Sequence, residues 1–211
     1  MRARLFRVIL AGALSLAFAS VAHSSDAGAK MDESMPGMRA MPAAHAIPGM
    51  SLYNLHGRRT TQDGSDVPLY VLHGKPVVAA MVYTHCRDVC PLIAECMQAV
   101  ERRLPTSERD SVQFVLFSLD WTRDTPQQLR QFAQQHRLDP RHWTLFHGNE
   151  AAVRELAAAL GVNFYRSANG DYQHAIAIYI FDSAGVVRSE QDDLQRVPPW
   201  ALTQLKALPR H

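Results

Sequence analysis

The chain is poor in cysteine. Three in 211 residues are too few to staple a scaffold, so a cysteine pair here points to chemistry rather than to fold support. It also has little net charge. The formal balance is +2, and setting aside Arg2, Arg4 and Arg7 leaves 19 basic against 20 acidic residues, which gives no sign of a nucleic-acid partner. Long hydrophobic runs are missing as well: the N-terminal one, Val8 to Ala19, is shorter than the roughly 20 residues a membrane-spanning helix needs. No internal repeat with a period of about 20 to 50 residues is found. With 47% apolar and 20% charged residues, the composition excludes a disordered or polytopic membrane protein and fits one globular domain.

What is present begins with a leader. Three early arginines, the apolar stretch, and small residues at Ala17, Ala19, Ser20 and Ala22 read as a secretory signal peptide over residues 1–22, cleaved after Ala19 or Ala22. No cysteine near that point favours a lipid anchor, and twin arginines are absent. The expectation is a soluble, exported, periplasmic protein without a membrane anchor; the alternative is a leader retained as one. Residues 23–50 are rich in Ala, Met, Pro, Gly and Ser with no apolar period, so they read as a flexible arm, and residues 51–211 as the domain.

The domain is expected to open with a hairpin-like element, its extended segments Leu52–Leu55 and Val67–Val71 flanking the turn at Asp63-Gly64. Pro76 to Tyr83 is a continuous apolar run suited to a strand buried on both faces. In Pro91–Leu104, Ile93, Met97, Val100 and Leu104 recur at helical spacing. A strand at Val112–Leu119, a helix at Pro126–Arg137, a strand at Thr144–Phe146 and a helix at Glu150–Leu160 ended by Gly161 follow. A strand at Tyr172–Phe181, a turn at Ala184-Gly185, a strand at Val186-Val187 and a helix from Pro198 to Leu208 close the chain. This alternation predicts an α/β fold of thioredoxin-like architecture, a mixed sheet flanked by helices with an N-terminal hairpin-like extension.

The sharpest motif is Tyr83-Thr84-His85-Cys86-Arg87-Asp88-Val89-Cys90-Pro91, placed where a central strand passes into a helix. Unpaired backbone N–H groups and the positive helix end favour thiolates there, making either a redox thiol or a soft metal ligand. Two thiolates hold a soft ion poorly without a third donor. His174, at the start of the Tyr172–Phe181 strand, is the candidate, because in a thioredoxin-like sheet that strand begins beside the active-site loop. Two thiolates and an imidazole suit copper, whereas zinc normally takes a fourth ligand. Taken alone, a histidine at a strand start is more often a hydrogen-bonded structural residue.

These segments together resemble the Sco (SenC) copper chaperones over Ser51 to Asp192. The resemblance is carried by Asp63-Gly64 with His73-Gly74-Lys75-Pro76, by the cysteine motif, by Ser118-Leu119-Asp120 with Arg123-Asp124-Thr125-Pro126, and by His174 ahead of Ile178-Tyr179-Ile180-Phe181-Asp182. It implies a thioredoxin-like domain and Cys86, Cys90 and His174 as ligands for Cu(I) or Cu(II). It also implies delivery to a copper-receiving protein such as cytochrome c oxidase subunit II, where a binuclear copper site is assembled. Three departures stand out: Trp121-Thr122 where the family usually has Pro-Glu, Gln173 where it has Asp, and Arg87 between the cysteines where it has proline. The Gln173 change removes a possible partner for the imidazole.

Other residues carry weaker signals. Cys96 lies on the Ile93, Met97, Val100 stripe and reads as an inert buried thiol. His85 and Asp88 flank the motif as tuning groups or as solvated loop residues; Asp120 and Asp124 read as carboxylates that orient the loop, with a helix cap by Asp124 or Thr125 before Pro126 as the alternative. Met31, Met35, Met38, Met41 and Met50 are five of the eight methionines. Their arm reads either as a linker or as accessory Cu(I) ligands, Met35, Met38, Met41 and His45, since thioethers are soft. Three activities remain open: a metallochaperone, a thiol-disulfide oxidoreductase acting on a copper-receiving protein, and a peroxide-reducing enzyme. The first two need a periplasmic thiol reductant, because only the reduced pair binds metal or reduces a target.

Overall fold

The computed structural model describes residues 43–208; the leader, Met31, Met35, Met38 and Met41 lie outside the described residues. Val77–Val82 (β3) is apolar and buried at all six positions, which requires cover on both faces. On one side β3 pairs in parallel with Gln113–Ser118 (β4), and β4 with Trp143–His147 (β5). On the other side lies antiparallel Ile178–Phe181 (β8), followed by Val187–Gln191 (β9). The hairpin Arg59–Thr61 (β1) and Asp66–Val67 (β2) extends the β5 edge, giving a seven-stranded mixed sheet in the order β2-β1-β5-β4-β3-β8-β9.

Among the described residues, five α-helices accompany the sheet: Val89–Arg103 (α1), Thr106–Arg109 (α2), Pro126–Gln135 (α3), Glu150–Ala159 (α4) and Val197–Ala207 (α5). The apolar stripe of α1 is fully buried at Ile93, Met97 and Val100, and α1 packs against α5. Thr125 caps α3, its hydroxyl accepting the Gln128 N–H at 3.3 Å with Pro126 following, and Asn149 caps α4 by accepting from Ala152 at 2.9 Å. None of the helices among the described residues is long and apolar enough to cross a membrane.

Three expectations change. The N-terminal hairpin does turn at Asp63-Gly64, but its strands are β1 and β2. Leu52–Asn54 and Leu69–Leu72 are single 3₁₀ turns, the first held by the Ser51 hydroxyl accepting from the Tyr53 N–H. The run Tyr172–Phe181 is not one strand. Tyr172–His174 (β7) pairs with Phe164–Arg166 (β6) in a separate two-stranded ribbon, and the chain joins the main sheet only at Ile178. Ala175 still follows the register of the ribbon, its N–H donating to the Asn163 carbonyl at 3.0 Å. Finally, residues 43–50, assigned to the arm, lie on the domain: Ile47 N–H donates to the Ala159 carbonyl at 2.9 Å and Ala46 N–H to Glu190 at 2.9 Å. Gly161, at φ +66°, permits this, since a Cβ there would stand 2.0 Å from the His45 carbonyl oxygen.

A buried histidine ties the layers together away from the cysteine loop. His142 meets Glu101 of α1 through Nδ1 and Asp110 through Nε2, both at 2.8 Å, and Trp143 Nε1 donates to the other Glu101 oxygen at 2.7 Å. A ring between two carboxylates satisfies both only as the imidazolium. Burial opposes that charge, but the hydrogen bonds to Asp110 and Glu101 and the nearby carboxylates outweigh it and raise the pKa above 6.5. Because the folded value lies above the unfolded one, the stabilisation is complete below that pH and is lost as pH rises through the raised value. His142→Gln is therefore expected to be about 1–3 kcal/mol less stable in mildly acidic buffer. In urea unfolding followed across pH, the deficit should shrink toward alkaline pH; a constant deficit would show that His142 is uncharged.

Candidate metal and thiol site

Cys86 follows β3 in the connecting loop, and Cys90 sits in the first turn of α1. The Cys90 N–H donates to Cys86 Sγ at 3.4 Å, so the Cys86 sulfur rests over the N-terminus of α1. The Cys90 thiol donates to it, and the backbone N–H groups of Cys90, Asp88 and Val89 add to that. Together they outweigh burial and pull the Cys86 pKa well down. For Cys90, burial is the main cause of the opposite shift, reinforced by the Cys86 charge. The pair is chemically unequal: Cys86 is the thiolate and Cys90 the retained thiol.

His174 ends β7 and is only 9% exposed. Its Nδ1 lies 2.9 Å from the Ala175 carbonyl, which can only accept, so Nδ1 carries the proton and Nε2 the lone pair. That Nε2 is buried without a partner. Burial lowers the pKa of the ring, against smaller opposing effects from the Ala175 carbonyl and the Cys86 charge, and keeps it neutral. A buried neutral imidazole with a free lone pair fits a metal ion. Tyr83 links it to the cysteine loop: its ring is 6.2 Å from His174 and 5.5 Å from Tyr172, and its hydroxyl donates to the Tyr172 carbonyl at 3.2 Å.

The loop after β4 braces this arrangement. Asp124, 1% exposed, accepts from the Thr84 N–H at 3.0 Å, the Thr84 hydroxyl at 2.5 Å and the Ser118 hydroxyl at 2.6 Å. Asp120 accepts from the Thr122 hydroxyl and the Arg123 N–H, and pairs with the Arg123 guanidinium. Among the described residues, His85, Asp120 and Asp124 form a group whose potential ligand atoms lie within 4.8 Å of one another. Its carboxylates are already engaged and Arg123 is its cation, so the group is structural. Cys86, Cys90 and His174 are not drawn to that spacing. A cleft of about 590 Å³ opens beside the cysteine loop, lined by Thr84, His85, Arg87 and Arg123 among others. A comparable cavity at the start of β3, beside Lys75 and Asp110, holds no such chemistry.

The other sequence candidates are placed less simply. Cys96 is half-buried, not buried: it lies near the seam with α5, where its thiol donates to the Leu194 carbonyl at 3.4 Å and burial raises its pKa. His45 is bound through Nδ1 to Glu190 at 2.7 Å on β9. Met35, Met38 and Met41 lie outside the described residues. Gln173 is exposed on the face of β7 opposite the buried His174, so this position does not supply a partner to the imidazole. Sequence reasoning did not single out Tyr83, Phe164 and Tyr172 as holders of His174. Their only signal was aromatic content on both sides of the ligand segments.

A family model described as SCO1/SenC matches residues 54–206. A Stutzerimonas stutzeri protein provisionally named as copper-binding is 29% identical over 199 residues, 90% of this chain and 92% of that one. A SCO1 protein homolog of Bacillus subtilis is 26% identical over 140 residues, 65% of this chain and 72% of that one. Among solved structures, Bradyrhizobium japonicum ScoI with copper bound aligns with a TM-score of 0.59 and 29% identity, covering 77% of this chain and all of that one.

The inequality of the two thiols has a direct readout. In reduced protein near neutral pH, Cys86 should react with iodoacetamide at least about tenfold faster than Cys90, which is fully buried and protonated. Peptide mass mapping of partly labelled protein checks this, and equal labelling of the two would show that the helix N-terminus does not select Cys86.

Proposed function

The chain belongs to the SCO1/SenC family, and on that footing we propose that it carries copper on Cys86, Cys90 and His174 and passes it to a copper-receiving protein. The observation that carries this reading is the buried, unpartnered Nε2 of His174, whose tautomer is set by the Ala175 carbonyl. With two sulfurs at a helix N-terminus it makes a soft donor set that suits copper. The relatives named for copper support the choice of ion. The leader supports export to the periplasm, and the family resemblance supports cytochrome c oxidase subunit II as recipient. Thioethers of the arm, at Met35, Met38 and Met41, are suited to collecting Cu(I) for this site.

A second reading rests on the thiol inequality. Cys86 thiolate would attack one sulfur of a target disulfide and join it in a mixed disulfide, while the other target sulfur leaves as thiolate and takes up a proton. Cys90 would then lose its proton and attack Cys86 Sγ, closing the Cys86–Cys90 bond and releasing the second target thiolate. Two electrons pass to the target, and a periplasmic thiol reductant resets the pair. The peroxide-reducing reading gains nothing, since the Thr84 hydroxyl proton is directed to Asp124.

Reduced wild-type protein is expected to hold about one copper per chain, the Cys86→Ser, Cys90→Ser variant none, and the oxidised pair none. His174→Ala should bind more weakly by about tenfold or more, since loss of a mere outer partner already has that effect. Metal analysis and competition titration check these; full retention in the double-serine variant would sink the copper reading. For the second reading, Cys90→Ser should accumulate a stable mixed disulfide on Cys86 with a disulfide peptide, and the absence of any adduct would dismiss it.

A further inference from the structure

The ribbon β6–β7, which carries His174, shares no ladder with the main sheet. Side chains must therefore hold it: Trp121 and Arg123 of the loop after β4, Tyr83 just after β3 and Arg154 of α4. The Trp121 ring meets one residue from each strand of the ribbon: Phe164 at 6.1 Å edge-on, and Tyr172 at 6.0 Å. Phe164 is the residue paired directly across from His174. Arg154 of α4 lies over both Trp121, at 5.2 Å, and Phe164, at 5.7 Å, and is itself held by Glu150 at 2.8 Å. Two residues along the same loop, Arg123 reaches Asp171 of the ribbon at 3.8 Å. One residue further, Asp124 grips Thr84 of the cysteine loop.

We infer that Trp121 is a positioning residue: the loop 120–124 clasps both halves of the site, and Trp121 is the part that sets where His174 stands relative to Cys86 and Cys90. The consequence for metal rests on the copper reading above; the clasp itself does not. Trp121 touches neither sulfur nor imidazole, so it acts through the rings of Phe164 and Tyr172. Tyr83 holds Tyr172 independently. Loss of Trp121 therefore loosens the ribbon without detaching it, while the Thr84–Asp124 bonds keep the cysteine loop in place.

The test compares wild type, Trp121→Ala and Trp121→Phe in the full chain. In metal-free protein, amide hydrogen exchange over residues 164–174 should be about tenfold faster in Trp121→Ala, unchanged in α1, and returned most of the way by Trp121→Phe. Cu(II) affinity should fall about tenfold in Trp121→Ala, and Trp121→Ala combined with His174→Ala should bind no more weakly than His174→Ala alone, since both remove the same donor. Exchange equal to wild type, or losses that multiply in the double variant, would overturn the clasp. Failure of the wild type to take Cu(II) would instead reject the copper reading, leaving the exchange result to decide the clasp. Should Trp121→Ala fail to fold, Arg154→Ala, at an exposed side chain, is expected to speed exchange of the same residues by a smaller factor.

Discussion

A strand with no exposed face has to be enclosed before anything else is arranged, and β3 is such a strand. Its burial places β4 and β8 beside it and α1 beyond its end, so the chain must turn sharply from sheet to helix between Val82 and Val89. The N-terminal N–H groups of α1 have no partners within the helix. Cys86 is where the chain crosses them, and a thiolate is the state of that side chain they favour. The acidity of Cys86 is thus a consequence of where a buried strand ends.

The site is assembled from parts held in different ways. The cysteine loop is bonded through Thr84 to a carboxylate that is itself buried and fully engaged, which makes it stiff. The histidine stands on a two-stranded ribbon secured by ring contacts, by the Tyr83 hydroxyl donating to the Tyr172 carbonyl and by the longer Arg123–Asp171 ion pair. Ring contacts tolerate small shifts that hydrogen bonds do not. On the copper reading proposed above, two sulfurs on a stiff loop and one donor on a more compliant support suit an ion that is both held and released.

The inequality between Cys86 and Cys90 suits both of the proposed chemistries. On the readings proposed above, the Cys86 thiolate would serve as ligand or nucleophile, and the buried, protonated Cys90 as a second ligand after losing its proton or as a resolving thiol in exchange. Burial leaves the His174 Nε2 without a protein partner, the place that the proposed ion would fill. Trp121, read in the sequence only as a departure from the family pattern, proves to be a contact of both strands of the ribbon.

What the amino-acid sequence determined by itself was whatever rests on neighbours a few positions away. The apolar run of β3, the stripe of α1, the helix starts at Pro126 and Glu150 and the cysteine spacing at a helix N-terminus are all local, and each is found in place. Tertiary structure decided what depends on partners far along the chain. Residues 43–50 are bound by a glutamate 144 positions from Ala46, and the ribbon is tied to Tyr83 across 89 positions. The apolar run from Tyr172 to Phe181 hid a change of sheet because strand pattern records burial, not which strand lies alongside. The state of His174 follows the same rule: its composition allowed a structural residue or a ligand, and only the fold, by giving Nδ1 a carbonyl and Nε2 nothing, left a lone pair free.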